Sequence, residues 1–63
     1  MSMEFAKKYI VEKIEEIGLD ENGQIRLDFT DLAEESEIKQ AAKELGYEVE
    51  PGEGAGVYWI YQD

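Results

Sequence analysis

Two groups of side chains in this sequence have the types and spacing to act on another molecule. Lys39, Gln40 and Lys43, with Ser36 one turn before them, fall three and four residues apart. On a helix that spacing puts them on one outward face, and ammonium and amide groups are suited to phosphate oxygens and base edges. The second group is Tyr58, Trp59 and Tyr61, preceded by Glu48, Glu50 and Glu53. Aromatic rings supply anchoring area and carboxylates supply steering charge, a combination suited to a basic protein surface.

Other constellations fail on spacing or composition. Asp20, Asn22, Gly23 and Ile25 match positions three, five, six and eight of a calcium-binding loop. Its first and twelfth positions would then be Gly18 and Phe29, which carry no carboxylate, so no calcium is expected there. Gly52, Gly54 and Gly56 are followed by no Lys-Ser/Thr pair and open no helix, so they are read as a mobile hairpin tip rather than a phosphate cradle. Histidine and cysteine are absent, and Ser2 and Ser36 have no basic neighbour in sequence to activate them. Carboxylate-based catalysis needs a concave pocket that so short a chain rarely encloses. Neither catalysis nor a metal or cofactor is therefore expected.

The charge balance narrows the class of partner. Sixteen acidic against six basic side chains give a formal net charge of -10. That field slows encounter with nucleic acid and with anionic membranes, and it favours a basic protein. Sixty-three residues suffice for one domain with a small core. Met1-Ser2-Met3-Glu4 lacks the basic end and apolar stretch of a signal peptide, and no apolar run approaches the roughly 20 residues a membrane helix needs. A cytoplasmic protein is expected.

The elements that must position these groups follow from periodicity. Met3, Ala6, Ile10, Ile14 and Ile17 fall within about 80° on a helical wheel, with Phe5 and Val11 off that stripe and Gly18 as the stop. Asp20-Glu21-Asn22-Gly23 is a turn, and Ile25, Leu27 and Phe29 then alternate with Arg26 and Asp28 as a half-buried strand. One straight helix over 31–45 would place Leu32 opposite Ile38, Ala41, Ala42 and Leu45. A break near Glu35-Ser36 lets both sets face one core, with Thr30 and Ser36 as caps and Gly46 as the end. Tyr47 to Glu50 alternates again, and Val57 to Tyr61 is apolar on both faces, which suits a central strand. Either Val57, Trp59 and Tyr61 or Tyr58 and Ile60 must then point away from the helices.

This α-β-α-α-β-β order resembles a small winged helix-turn-helix domain, matched from Ile25 to Tyr61 with Met3 to Ile17 as the first helix. The resemblance implies an α+β fold with a small antiparallel sheet on a three-helix core. It also implies a last strand between the first two and a wing at Pro51 to Gly56. Ser36, Lys39, Gln40 and Lys43 would lie on the reading helix. Glu48, Glu50 and Glu53 would lie on the wing, where duplex-binding members are expected to hold basic residues.

The expectation is a non-enzymatic interaction module or regulator. Its partner would be a nucleic-acid-handling protein with a basic surface, met in one version by carboxylates that take the place of DNA phosphates. The alternative is a small DNA-binding transcriptional regulator acting as a dimer. Self-association through the last strand, or through Phe5 and Val11, is a third reading.

Overall fold

The apolar stripe of the first segment forms helix α1 (Met3–Ile17) of the computed structural model, which describes residues 3–62. Ala6 and Ile10 are completely buried and Ile14 packs against the core. Ile17, expected inside, is instead 64 % exposed. The Met3 side chain, which the stripe also included, lies outside the described residues. Phe5 and Val11 are exposed. Tyr9 widens the buried face beyond the stripe. Its ring meets Phe29 edge-on at 5.1 Å, and its hydroxyl donates to the Asp28 carbonyl at 3.0 Å.

Strand β1 (Gln24–Asp28) keeps the predicted alternation, with Ile25 and Leu27 buried and Arg26 and Asp28 exposed. Phe29, just past the strand, is the largest completely buried side chain.

The segment after β1 corrects the three-helix expectation, because the described residues form two helices. Residues 30–32 make a turn, not a helix. The Phe29 carbonyl accepts the N–H groups of Leu32 at 2.8 Å and Ala33 at 3.3 Å. Asp31 sits at φ +61°, the left-handed region, which ends any right-handed helix after one turn. Helix α2 (Glu35–Glu44) starts only after the extended Glu34, whose N–H donates to Glu37 Oε1 at 3.0 Å. The expected caps act elsewhere. Ser36 is exposed within the first turn, and the Thr30 hydroxyl faces Asp28 Oδ1 at 2.6 Å and the Ala55 carbonyl at 3.2 Å. The break still does what the apolar pattern required: Leu32 and Leu45 pack on the same core as Ile38.

Strands β2 (Tyr47–Pro51) and β3 (Val57–Gln62) complete an antiparallel sheet in the order β1-β3-β2. The last strand is central, as the resemblance implied. Ile60 lies opposite Ile25 and Val49, and Tyr58 lies opposite Leu27 and Pro51. Those side chains face the helices, since Ile25, Leu27, Val49, Tyr58 and Ile60 all pack in the one core with Ile10, Ile38, Ala41 and Ala42.

The loop over 52–56 is held at both ends. Phe29 N–H donates to the Gly56 carbonyl at 2.7 Å, and Gly52 N–H donates to the Val57 carbonyl at 2.7 Å. Gly56 has φ +80°, and a Cβ there would strike the Thr30 backbone and hydroxyl. Both the conformation and the contact select glycine. Gly56→Ala is expected to destabilise the protein by roughly 1–3 kcal/mol, read as a lower urea midpoint. An unchanged midpoint would mean that this loop does not hold β1 to β3.

Candidate protein-binding face

Side chains alternate across a strand, so the residues between the core positions of the sheet share its other face. On β3 these are Val57, Trp59 and Tyr61. The register places Trp59 between Arg26 and Glu50, and Tyr61 between Gln24 and Glu48. Trp59 and Tyr61 are half-buried and take no part in the helix-side core. Val57 is buried beneath the loop, where Gly52 lies so close that a Cβ would strike its side chain. Both helices pack on the opposite side. Trp59 and Tyr61 therefore form a central aromatic strip, with Glu48 and Glu50 along one margin and Arg26 and Asp28 along the other.

The strip is internally tethered. The Tyr61 hydroxyl donates to Glu50 Oε1 at 3.2 Å, a diagonal cross-strand contact. That bond sets the orientation of a carboxylate that would otherwise sample many rotamers. Asp28 is fixed in the same way at the other margin. Its Oδ1 accepts the Thr30 hydroxyl at 2.6 Å and the Thr30 N–H at 2.9 Å. The Thr30 hydroxyl, then the Thr30 amide, and finally the charge of Arg26 hold the Asp28 carboxyl below its ordinary value.

The residues singled out from sequence divide between four places. Trp59, Tyr61, Glu48 and Glu50 come together on this face. Glu53 is exposed in the adjoining loop. Tyr58 does not join them, so of the two alternatives the outward set is Val57, Trp59 and Tyr61, and Tyr58 leaves the binding group. It faces the helices, with its ring 6.1 Å from Phe29 in an edge-on arrangement. A half-period of the strand separates it from Trp59, and that alone reverses its direction. Ser36, Lys39, Gln40 and Lys43 share the exposed face of α2, opposite the buried Ile38, Ala41 and Ala42. Lys39 is already engaged by Glu35 at 2.9 Å, and that hydrogen bond with its charge raises the ammonium pKa.

Sequence reading missed Arg26 and Asp28 as members of the aromatic face. Their alternation with Ile25 and Leu27 was visible. Their position beside the aromatic strip depends on the β1–β3 register, which pairs Arg26 with Trp59 and Asp28 with Val57, segments far apart in the chain.

Asp20 Oδ1 accepts the N–H groups of Asn22 and Gln24 at 2.9 and 3.0 Å, so that carboxylate closes a turn. Among the described residues, no group of three or more acidic side chains is placed to hold a metal ion. Nor is any described helix long and apolar enough to cross a membrane. No family model, curated protein or solved structure matches the chain.

The Asp28 shift has a stability consequence. Its native pKa is lowered, so the stabilisation is complete above the ordinary aspartate value and is lost as pH falls through the lower native value. Thr30→Val removes the hydroxyl donor. The stability gap between parent and variant should be present at neutral pH and close as the solution is acidified through the aspartate range. A gap independent of pH would assign the effect to packing instead.

Proposed function

We propose that this protein is a non-enzymatic interaction module that binds a basic protein surface through the outer face of its sheet. The observation that carries the reading is Trp59 and Tyr61 on a face that neither helix covers, bordered by Glu48, Glu50 and Asp28. Flat aromatic side chains bury large area with little loss of rotamer freedom, and they dominate binding energy when surrounded by groups that exclude water. The carboxylates and the net charge of -10 raise the encounter rate with cations and repel anions. A nucleic-acid-handling protein is the class of partner with a basic surface large enough to match. In one form of this reading, Glu48, Glu50, Glu53 and Asp28 occupy the places of phosphates in a partner's DNA cleft.

The scaffold supports a regulatory role of winged-helix type. The β1-β3-β2 order and the loop between β2 and β3 fit that plan, with the turn at 30–34 standing in for a short helix. A second reading rests on one observation, the shared exposed face of Ser36, Lys39, Gln40 and Lys43 on α2. These residues would meet duplex DNA, with a dimer presenting two such helices. Glu35 already neutralises Lys39, and each nearby carboxylate opposes the counterion release that drives duplex binding.

The sheet-face reading is tested with a photoreactive benzoyl-phenylalanine in place of Tyr61. Low salt should give a crosslink to a basic protein that purified duplex DNA competes away. The crosslink should disappear in the double variant Glu48→Lys, Glu50→Lys. Trp59→Ala should weaken the recovered complex roughly thirtyfold, the effect of losing about 2 kcal/mol at an anchor. A crosslink indifferent to both changes would remove the face as the binding site. The duplex reading is tested by titrating random-sequence DNA at several salt concentrations. It expects salt-sensitive binding that Lys39→Glu abolishes, and an absence of binding at low salt ends it.

A further inference from the structure

We propose that the free edge of β2 accepts an added strand from a partner, an extended segment in which cationic side chains alternate with apolar or acidic ones. The proposal rests on the preceding reading for the basic class of partner, but its site is the sheet edge and not the aromatic face.

The two edges of the sheet are treated differently. On the β1 side, Phe29 N–H bonds the Gly56 carbonyl and Gln62 N–H bonds the Gly23 carbonyl. This sets the alternation of ladder bonds, so the peptide groups of Gln24, Arg26 and Asp28 point outward. Three of these six groups are taken within the chain. Asp20 Oδ1 accepts the Gln24 N–H, Asp20 N–H donates to the Gln24 carbonyl, and the Tyr9 hydroxyl donates to the Asp28 carbonyl. Only Arg26 keeps both groups open there. A strand cannot add along an edge blocked at both ends.

The β2 edge has no such cover among the described residues. Gly52 N–H donates to the Val57 carbonyl, which makes Gly52, Glu50 and Glu48 the residues bonded to β3. Tyr47 and Val49 therefore aim both N–H and C=O outward, and Pro51 adds a carbonyl but no N–H. A cleft of about 330 Å³ opens beside them between α2 and β2, lined by Lys39, Lys43, Tyr47, Glu48 and Val49. An added strand would hydrogen-bond to Val49 and Tyr47 and send alternate side chains into that cleft.

The chemistry of the two faces defines the ligand. Cleft-side residues of the added strand meet Tyr47, Val49 and the ammonium groups of Lys39 and Lys43, with Glu48 also lining the cleft. Apolar side chains suit the first pair and a carboxylate suits the second. Lys43 makes no ion pair among the described residues, so it is the stronger anchor, whereas Lys39 is shared with Glu35. Residues on the other side meet Glu48 and Glu50, which select lysine or arginine.

The same faces argue against a second copy as the occupant. Antiparallel pairing of β2 with itself about Val49 would set Glu48 of one copy against Glu50 of the other, twice. It would also pair Tyr47 with Pro51, which has no N–H to give. Two chains of charge -10 would have to meet there.

The test uses the full chain labelled with 15N and an acetylated, amidated peptide alternating lysine with valine and glutamate. A second peptide is identical but N-methylated on the amides that would face β2. The first peptide should shift the Tyr47 and Val49 amide resonances downfield and slow their exchange with solvent. N-methylation should weaken binding roughly tenfold, since it removes the strand hydrogen bonds and keeps every charge. Lys43→Glu should weaken the glutamate-containing peptide more than an all-valine version. Trp59→Ala should leave this binding within about twofold, which separates the edge from the aromatic face. Three results would each overturn the proposal: equal binding of the N-methylated peptide, shifts confined to Arg26 and the Trp59 indole, or no shift up to millimolar peptide. The second of these would leave the aromatic-face reading standing.

Discussion

The central position of β3 is the constraint on which the rest depends. Each of its peptide groups is committed, alternately to β1 and to β2, so neither edge of this strand is free to meet another molecule. Self-association through the edge of the last strand is thereby closed. The same placement fixes the two faces. Once Ile60 and Tyr58 join Ile25, Leu27 and Val49 beneath the helices, Trp59 and Tyr61 have no direction left but outward. A slip of one residue in the β1–β3 pairing would turn Ile25 and Leu27 away from the side that Ile60 and Tyr58 face.

The helices are arranged to serve that sheet. Helix α1 lies against β1 and α2, and α2 lies against β2, with Lys7 and Glu44 joining the helices at 3.4 Å. The turn at 30–32 is what allows α2 to return to the same side. Asp31 in the left-handed region and the doubly accepted Phe29 carbonyl reverse the chain within a few residues. Thr30 connects this turn to the loop after β2, so the turn and the loop support each other across the top of the sheet. Buried polar side chains are absent from the described core, which leaves its specificity to shape and to the backbone ladder.

Charge and shape are distributed in a way that separates two surfaces. The outer face of the sheet combines rings with oriented carboxylates and one guanidinium. The cleft beside β2 combines two ammonium groups with an open strand edge in an otherwise acidic molecule. Neither surface resembles an enclosed catalytic pocket. Both offer what a peptide or protein surface can use: area, hydrogen-bonding groups and complementary charge.

The sequence alone determined the parts of this protein that depend on neighbours in the chain. Helical periodicity in Ala6, Ile10 and Ile14, two-residue alternation in Ile25, Leu27 and Phe29, and the two-sided apolar run of Val57 to Tyr61 specified α1, β1 and a central strand. The conflict between Leu32 and Ile38 specified a break between them. Tertiary structure decided everything that required distant segments to meet. It chose a turn over a third helix because Phe29, Thr30 and Gly56 interlock there. It turned Trp59 rather than Tyr58 outward, placed Arg26 and Asp28 beside the aromatic strip, exposed Ile17, and left one edge more open than the other. Local pattern reports which residues avoid water, but only register and packing determine which neighbours they find.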